Sequence, residues 1–561
     1  MSEITNVPQL LEARASEYGE KTFLFSEADG RSWTYLEFDS AVNRTANLLR
    51  SHDIAKGDVV SLLMPNSAEY VIAYFACFKI GALAGPVNSL LKSEEIAWVV
   101  GNSEAKLMLV STSLLPATAV AVSSALKIPP AYAGGTDESF ALPTVVIFDD
   151  VDSATAGMSD EHDDVELSSD DDAIIIYTSG TTGKPKGCLL THGNLVANAR
   201  QIAEWMRFGP DDRLLTLMPL FHMNAVSVTT MSALYARGST VVSPKFSASR
   251  FWDIIEKYKI TSFGSVATML SMLLAGSEQS AVSGQQSAVS GEQDGEGAAG
   301  AATLLIAHRS PLTSLRFAMC GSAPVPAEVL KRFEETFGCL VIEGYGLSES
   351  TCRSTFNPPN ESRRPGSCGK PIGNEMKIFD ETDTELPDGE LGELVMRGEN
   401  IFKAYFKNPE ATEKAFASGW FHTGDIGYRD ADGFFYIADR KSDMIIRGGE
   451  NIYPREIDDV LYTHPAVAAA AVIGVPDELY GEEVAAFAVL KDGFQNSPPS
   501  KGRVDAASAD GVVVTSDDLI NHCKQHLADF KCPKSIHFVD DIPKGPTGKL
   551  LKRELAKMLK K

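Results

Sequence analysis

The chain has 561 residues, of which 44% are hydrophobic, and a formal charge of −24 at pH 7. That length exceeds one ordinary core, so two or more domains are expected, with ample apolar content to fold them. The acidity argues against a nucleic-acid partner, which needs a basic face, so any phosphate site must draw on local positive charge or a metal.

From Val7 to Val110 helical patterns alternate with short apolar runs. Leu36 to Ser51 reads as a helix, Val59-Val60-Ser61-Leu62-Leu63 as a strand, Ala68 to Ile80 as a helix and Leu107 to Val110 as a strand. Such alternation predicts parallel sheets covered by helices. The best membrane candidate, Val71 to Val87, is interrupted by Lys79, Gly81, Gly85 and Pro86. It is shorter than the roughly 20 residues a span needs, so it reads as a buried helix followed by a strand, with no membrane span. Residues 112–172 look looser and end in an acidic stretch, a solvated connection. Later, Leu195 to Met206 and Phe251 to Lys259 read as helices, and Leu214 to Leu217, Leu315 to Met319 and Leu340 to Ile342 as strands. Residues 277–302 form a low-complexity insertion in which Gln-Ser-Ala-Val-Ser-Gly occurs twice. Met376 to Ile437 has shorter strands with Asp388-Gly389 and Asp432-Gly433 turns, an antiparallel subdomain. Beyond Asp439 a smaller α+β unit is expected, with strands near Val467–Ile473 and Val484–Leu490, a helix over Asp517–Phe530, and a second polar insertion at Gly493–Asp510. Eight cysteines lie scattered without a Cys-x-x-Cys pair, giving neither a zinc site nor a disulfide framework. With no signal peptide at Met1-Ser2-Glu3-Ile4, the expected location is cytoplasmic.

Chemistry concentrates in Tyr177-Thr178-Ser179-Gly180-Thr181-Thr182-Gly183-Lys184-Pro185-Lys186-Gly187, between two apolar runs. Glycines let backbone N–H groups approach an anion, hydroxyls donate to it and lysine adds charge, which together make a polyphosphate cradle. It is not the common P-loop, because Pro185 follows Lys184 and the glycine spacing differs. Taken alone, such a loop could equally be a solvated hairpin. Related clusters follow in order: Gly321-Ser322-Ala323-Pro324, Glu343-Gly344-Tyr345-Gly346-Leu347-Ser348-Glu349, Trp420-Phe421-His422-Thr423-Gly424-Asp425, Asp439 to Asn451, and Pro543-Lys544-Gly545-Pro546-Thr547-Gly548-Lys549.

Together these motifs resemble the adenylate-forming superfamily, in the manner of AMP-forming acyl-CoA synthetases, over about Pro8 to Leu559. The resemblance implies an α/β protein: a large N-terminal domain with helix-covered, mostly parallel sheets plus an antiparallel subdomain (residues 1–438), a hinge (439–442) and a small mobile α+β C-terminal domain (443–561). It implies ATP, Mg²⁺ and coenzyme A as cofactor or co-substrates and a small carboxylic acid as partner. Thr178, Ser179, Gly180, Thr181, Thr182, Lys186 and Gly187 would hold phosphates, and Gly321, Ser322, Ala323, Glu343, Gly344, Tyr345, Gly346 and Ser348 would frame the nucleotide, Tyr345 stacking on adenine. Glu349, with Thr178, would hold Mg²⁺; Asp425 and Arg440 would hold the ribose. Lys549 would neutralise charge as carboxylate meets α-phosphate, and Gly448 and Gly449 would let the pantetheine arm pass.

His222 occupies the position of the family's gating aromatic, with an ordinary core histidine as the alternative; Ser265, Val266, Ala267 and Cys352 are further candidates for the acyl pocket. The family usually has Thr where Ser348 stands, and a different pivot residue where Ser442 stands. Gly344 occupies the place where malonate-type synthetases carry Arg, which disfavours malonate. Ile401 to Pro409 and Met444 to Asn451 are similar to crotonobetaine/carnitine and fatty-acid CoA ligases, placing the chain near fatty acid metabolism. The expected reaction is ATP-dependent formation of acyl-AMP, then transfer to CoA. The open alternatives are a free-standing enzyme loading a carrier protein, a luciferase-like oxidation, or a non-catalytic nucleotide-binding protein. A fused carrier would need a further small domain after Lys549, and the chain stops at Lys561.

Overall fold

The structure is a computed structural model that describes residues 4–118, 142–178, 185–277, 314–321, 325, 327–441, 443–448, 450–477, 479–496, 512–544 and 550–559. The chain divides into two compact units: 1–322 with 331–375 and 396–421, and 323–330 with 376–395 and 422–561.

Two sheets form the first unit. One has seven strands in the order Ala404–Tyr405, Lys186–Thr191, Asp172–Thr178, Leu83–Pro86, Val59–Leu63, Leu107–Val110 and Thr144–Ile147. Its run from Asp172–Thr178 onward is parallel, and the two strands at the other edge are antiparallel. The other sheet has nine strands, and its centre is a parallel series in the order Leu340–Tyr345, Phe317–Cys320, Ser262–Ser265, Arg213–Thr216, Ser239–Val242 and Thr22–Ser26. The central strands Val59–Leu63, Leu107–Val110 and Phe317–Cys320 are aliphatic or aromatic runs with every residue but Ser61 apolar and all of them buried, as strands covered on both faces require.

The helix Ala68–Ile80 has all 13 residues buried, as a helix apolar all round requires. Its start is capped by Ser67, whose hydroxyl accepts from Tyr70 N, and it stops at Gly81 with φ +70°. Lys79 is buried but paired with Glu12 at 2.7 Å and Asp39 at 3.3 Å. The apolar run is therefore core, followed by the strand Leu83–Pro86 as expected.

Within 112–172, residues 119–141 lie outside the described set, and the described part contains the strand Thr144–Ile147 and a short helix Val151–Ala154 where the sequence suggests a loose connection. That strand's side chains are largely exposed, so no apolar alternation announced it. The 277–302 insertion lies outside the described residues apart from Ser277.

In the second unit a four-stranded sheet carries Phe421–Arg429 antiparallel to Phe435–Arg440, joined at Gly433 with φ +81°. A five-stranded sheet is centred on Val467–Asp477 and Gly481–Leu490. Successive residues there alternate between two cores. Ala470, Val472, Val484 and Ala486 pack with Ile457, Leu461, Leu519 and Cys523, while Ala471, Ile473, Ala485 and Phe487 pack with Ile542 and Leu555. The second insertion is entered and left by strands rather than by coil: Phe494–Asn496 runs parallel to Val512–Val514. Residues 497–511 lie outside the described set.

Candidate active site

The antiparallel pair Asp172–Thr178 and Lys186–Thr191 presents the cradle loop at its end, with Thr178 opposite Lys186 and Tyr177 opposite Gly187. Thr178 and Lys186 are therefore neighbours at the loop's base, whereas Ser179, Gly180, Thr181 and Thr182 fall outside the described residues. Beside Lys186 the short strand Ala404–Tyr405 adds to the sheet edge, with Tyr405 opposite Cys188. The Lys186 ammonium lies 5.0 Å from the centre of the Tyr405 ring. The Tyr405 hydroxyl donates to Glu349 Oε1 at 2.9 Å. A cation, an aromatic hydroxyl and a carboxylate thus converge at the cradle. Burial and the Glu349 charge push the Tyr405 phenol far above its ordinary range, so it stays a proton donor.

Glu349 sits in the single 3₁₀ turn Ser348–Ser350, and its carbonyl accepts from Phe402 N at 2.7 Å. The next residue, Thr351, has φ +63°, a strained conformation for a β-branched residue. Its hydroxyl holds the turn by donating to Asn400 O at 2.7 Å. Tyr345 ends its strand half-buried; its N donates to Thr355 Oγ1 at 3.1 Å and its carbonyl accepts from Ser354 N at 2.9 Å. Gly346 is required by space, since a Cβ there would lie 2.0 Å from Cys352 O. A Cβ on Gly344 would lie 2.4 Å from Phe356 Cδ1, so no arginine could stand at that position without displacing the ring. Glu343 is buried, its carboxylate accepting from Gly366 N at 2.9 Å.

One helix, His192–Met206, ties these loops together. Its start is a capping box between Thr191 and Asn194. Asn194, Asn198 and Gln201 recur on one face. Asn194 donates to Glu399 O and Ile401 O at 2.7 and 2.9 Å, Asn198 to Arg353 O at 2.7 Å, and Gln201 to Gly373 O at 3.1 Å. Ser227 in turn donates to Asn198 Oδ1 at 2.8 Å from the π-helical stretch Asn224–Met231. π-helical departures from α-helical geometry often mark functional sites.

His222 is half-buried and packs on Phe221, with ring centres 4.9 Å apart, and its buried Nε2 has no hydrogen-bond partner among the described residues. Burial pulls its pKa down to about 4, so the ring is neutral at physiological pH. Ser265 and Cys352 are buried and Ser265 Oγ donates to Met319 O at 3.0 Å; Val266 is buried and Ala267 half-buried. Gly321 follows the strand Phe317–Cys320; Ser322 and Ala323 fall outside the described residues.

In the second unit Asp425 and Arg440 are cross-strand partners, with Arg440 Nε 3.2 Å from Asp425 Oδ1. Asp425 is buried, and its N donates to Thr423 Oγ1 at 3.0 Å. Gly448 makes the turn between Ile445–Arg447 and Glu450–Ile452 with φ +61°. Gly449 and Lys549 lie outside the described residues.

Residues 11–406 match the AMP-binding enzyme family, and residues 456–549 match the AMP-binding enzyme C-terminal domain. The chain belongs to the AMP-binding enzyme family. It is 32% identical over 552 residues to the sulfoacetate–CoA ligase of Cupriavidus necator, covering 97% of this chain and 96% of that one. It is 34% identical over 555 residues to the oxalate–CoA ligase of Arabidopsis thaliana, covering 98% and 97%. Among solved structures, the o-succinylbenzoate CoA synthetase of Bacillus subtilis in complex with its acyl-adenylate intermediate superposes with a TM-score of 0.76 at 30% identity, covering 98% of each chain. As a member of this family the chain is an AMP-forming acid–thiol ligase that works through an acyl-adenylate. The α/β architecture with a separate C-terminal domain is that of the family.

Two residues at the site were not singled out by sequence. Tyr405 lies in a segment that carried family resemblance but no recognisable motif, and its role emerges only when the sheet edge forms. Asn198 looks like any helical polar residue, and only its i+4 spacing from Asn194 hints at a shared face.

Proposed function

We propose that this ligase binds ATP with its phosphates on the loop after Thr178 and activates a small carboxylic acid before passing it to CoA. The convergence of Lys186, Tyr405 and Glu349 at the base of that loop carries the reading. A carboxylate oxygen attacks the α-phosphorus and the bond to pyrophosphate breaks; the CoA sulfur then attacks the acyl carbon and the bond to AMP breaks. Lys186 supplies charge to the phosphates, Tyr345 a face for adenine, and Asp425 with Arg440 acceptors and charge for the ribose hydroxyls. Lys549 neutralises charge in the first step, and Gly448 and Gly449 leave room for pantetheine in the second.

Mg²⁺ fits the donor set. Among the described residues no cluster of three or more His, Cys, Asp or Glu could hold an ion alone. A lone Glu349, one oxygen held by Tyr405, suits a hard ion that is bound jointly by a carboxylate, phosphate oxygens and water. When bound, the ion would neutralise phosphate charge. Thr178, at the loop base, is the second candidate ligand.

The sulfoacetate and oxalate ligases are named for small acids with a second anionic group, and that class is our preferred substrate. A long-chain fatty acid, which has no second anionic group, is not the preferred class. We place the enzyme in the cytoplasm, in keeping with eight free cysteines, most of them buried; no described helix is long and apolar enough to cross a membrane. The deciding assay is pyrophosphate release with a panel of carboxylic acids, with and without CoA. Acid-dependent pyrophosphate with CoA thioester supports the proposal. Pyrophosphate without thioester would move it to a carrier-protein loader, and no acid-dependent pyrophosphate would sink it.

A further inference from the structure

Arg353 is among the largest fully buried side chains of the protein, 2% exposed. Its backbone is fixed on both sides: N donates to Asn198 Oδ1 at 3.4 Å, and O accepts from Asn198 and Asn400 at 2.7 and 3.3 Å. The guanidinium lies flat against Gly321, where a Cβ would be 2.5 Å from Nη2, 2.7 Å from Cζ and 2.8 Å from Nη1. Phe356 covers it, with Cζ 5.5 Å from the ring centre. Yet among the described residues Nε and Nη2 have no hydrogen-bond partner, and no carboxylate pairs with the group. A buried charge without a partner is costly, so a resident anion is what this arrangement calls for.

The guanidinium also sits where a ligand would. Gly321 lies just past the carboxyl end of Phe317–Cys320 in a parallel series, the end at which α/β sheets bind ligands. A second unpartnered group shares that face. Asn224 is buried with neither Oδ1 nor Nδ2 bonded among the described residues, and a Cβ on Gly264 would be 2.7 Å from its Oδ1. Gly264 pairs with Met319, two residues before Gly321, so both glycines bare the same face of the sheet. Two residues along and one strand across puts them roughly 8 Å apart.

We infer that Arg353 is the specificity-determining residue for the acid, receiving a second anionic group, carboxylate or sulfonate, with Asn224 as an uncharged partner on the same face. This rests on the acid–CoA ligase reading. The reacting carboxylate is a poor occupant, because a bidentate pair with buried arginine would hold the oxygens that must attack phosphorus. With no room for an arginine at Gly344, the positive charge enters from Arg353 instead.

The test compares acids of matched length: succinate and 3-sulfopropionate against butyrate, and the next shorter homologues of each, with longer and aromatic monocarboxylates alongside. kcat/KM is measured for pyrophosphate release and CoA-thioester formation. The expected result is a preference for dianionic acids of roughly 10² or more, the scale of a buried charge pair, with the succinate and sulfopropionate arms deciding between carboxylate and sulfonate. Arg353→Gln should lower that ratio at least tenfold without changing the KM for ATP, and Arg353→Lys should retain part of it. Should Arg353→Gln fail to fold, Arg353→Lys and Asn224→Ala carry the comparison. A merely structural arginine would lower the rate with all acids alike and leave the ratio unmoved, which overturns the inference, as does a monocarboxylate used as well as the dianions. Either result leaves thioester formation intact. Absence of thioester with every acid overturns the ligase reading and this inference with it.

Discussion

Tyr405→Phe removes one oxygen from the site and keeps the ring over Lys186. The lost bond is a hydroxyl donating to a carboxylate at 2.9 Å. Hydrogen bonds to charged groups contribute about 1.5–3 kcal/mol, but Tyr405 and Glu349 are half-buried and water can replace the donor, so about 1 kcal/mol is the better figure. If Tyr405 orients Glu349 toward Mg²⁺, that energy appears as a roughly fivefold rise in the Mg²⁺ concentration for half-maximal activity. kcat at saturating Mg²⁺ and ATP should change little. Tyr405→Leu deletes the ring as well, and losing a partly exposed cation–π contact of about 0.5–1 kcal/mol should raise the KM for ATP a further two- to fivefold. Acid-dependent pyrophosphate release, titrated in Mg²⁺ and then in ATP, reads both effects. Equal loss of rate at every Mg²⁺ concentration would refute the reasoning and leave Tyr405 as a scaffold for the sheet edge.

Asp425→Ala should raise the KM for ATP about tenfold, because a ribose contact made in ground and transition states alike acts on binding; a fall in kcat alone would remove Asp425 from the ribose. Lys549→Ala should slow acyl-adenylate formation by roughly 10² while sparing conversion of supplied adenylate. Gly448→Leu should do the reverse, since φ is +61° there and even a Cβ would come within 3.2 Å of Tyr480; single-turnover measurements of each half-reaction in both variants check the pair, and equal loss of both halves would refute the division of labour. Burial raises the Asp458 carboxyl to about 7, against the opposing pull of Lys552 at 3.8 Å. The folded state then binds the proton more tightly than the unfolded one, so stability is greatest below the ordinary carboxylate range, falls as pH rises from about 4 to about 7, and is level above. The span is roughly 4 kcal/mol at most. Asp458→Asn should flatten that slope in denaturant melts; a slope unchanged in the variant would place its origin elsewhere.

Much of this protein was written in local pattern. Val59–Leu63, Ala68–Ile80 and Leu107–Val110 form with the bounds their apolar runs mark, because β-branched runs and an all-apolar helix each have one way to be buried. The order of the motifs around Thr178, Tyr345, Glu349 and Asp425 sufficed for the reaction class, since each needs a residue type at a short fixed spacing. The strand Thr144–Ile147 was not legible, because its side chains are mostly exposed and only the ladder to Leu107–Val110 defines it. Nor was the joining of Lys186, Tyr405 and Glu349, whose chain separations are bridged by strand pairing and by backbone bonds such as Phe402 N to Glu349 O. Arg353 is the clearest case. In sequence it is an ordinary arginine between Cys352 and Ser354, which prior expectation would send to the surface. Only the tertiary structure buries it against Gly321 with no partner for Nε or Nη2 among the described residues, because burial and pairing depend on contacts between strands that local sequence does not encode.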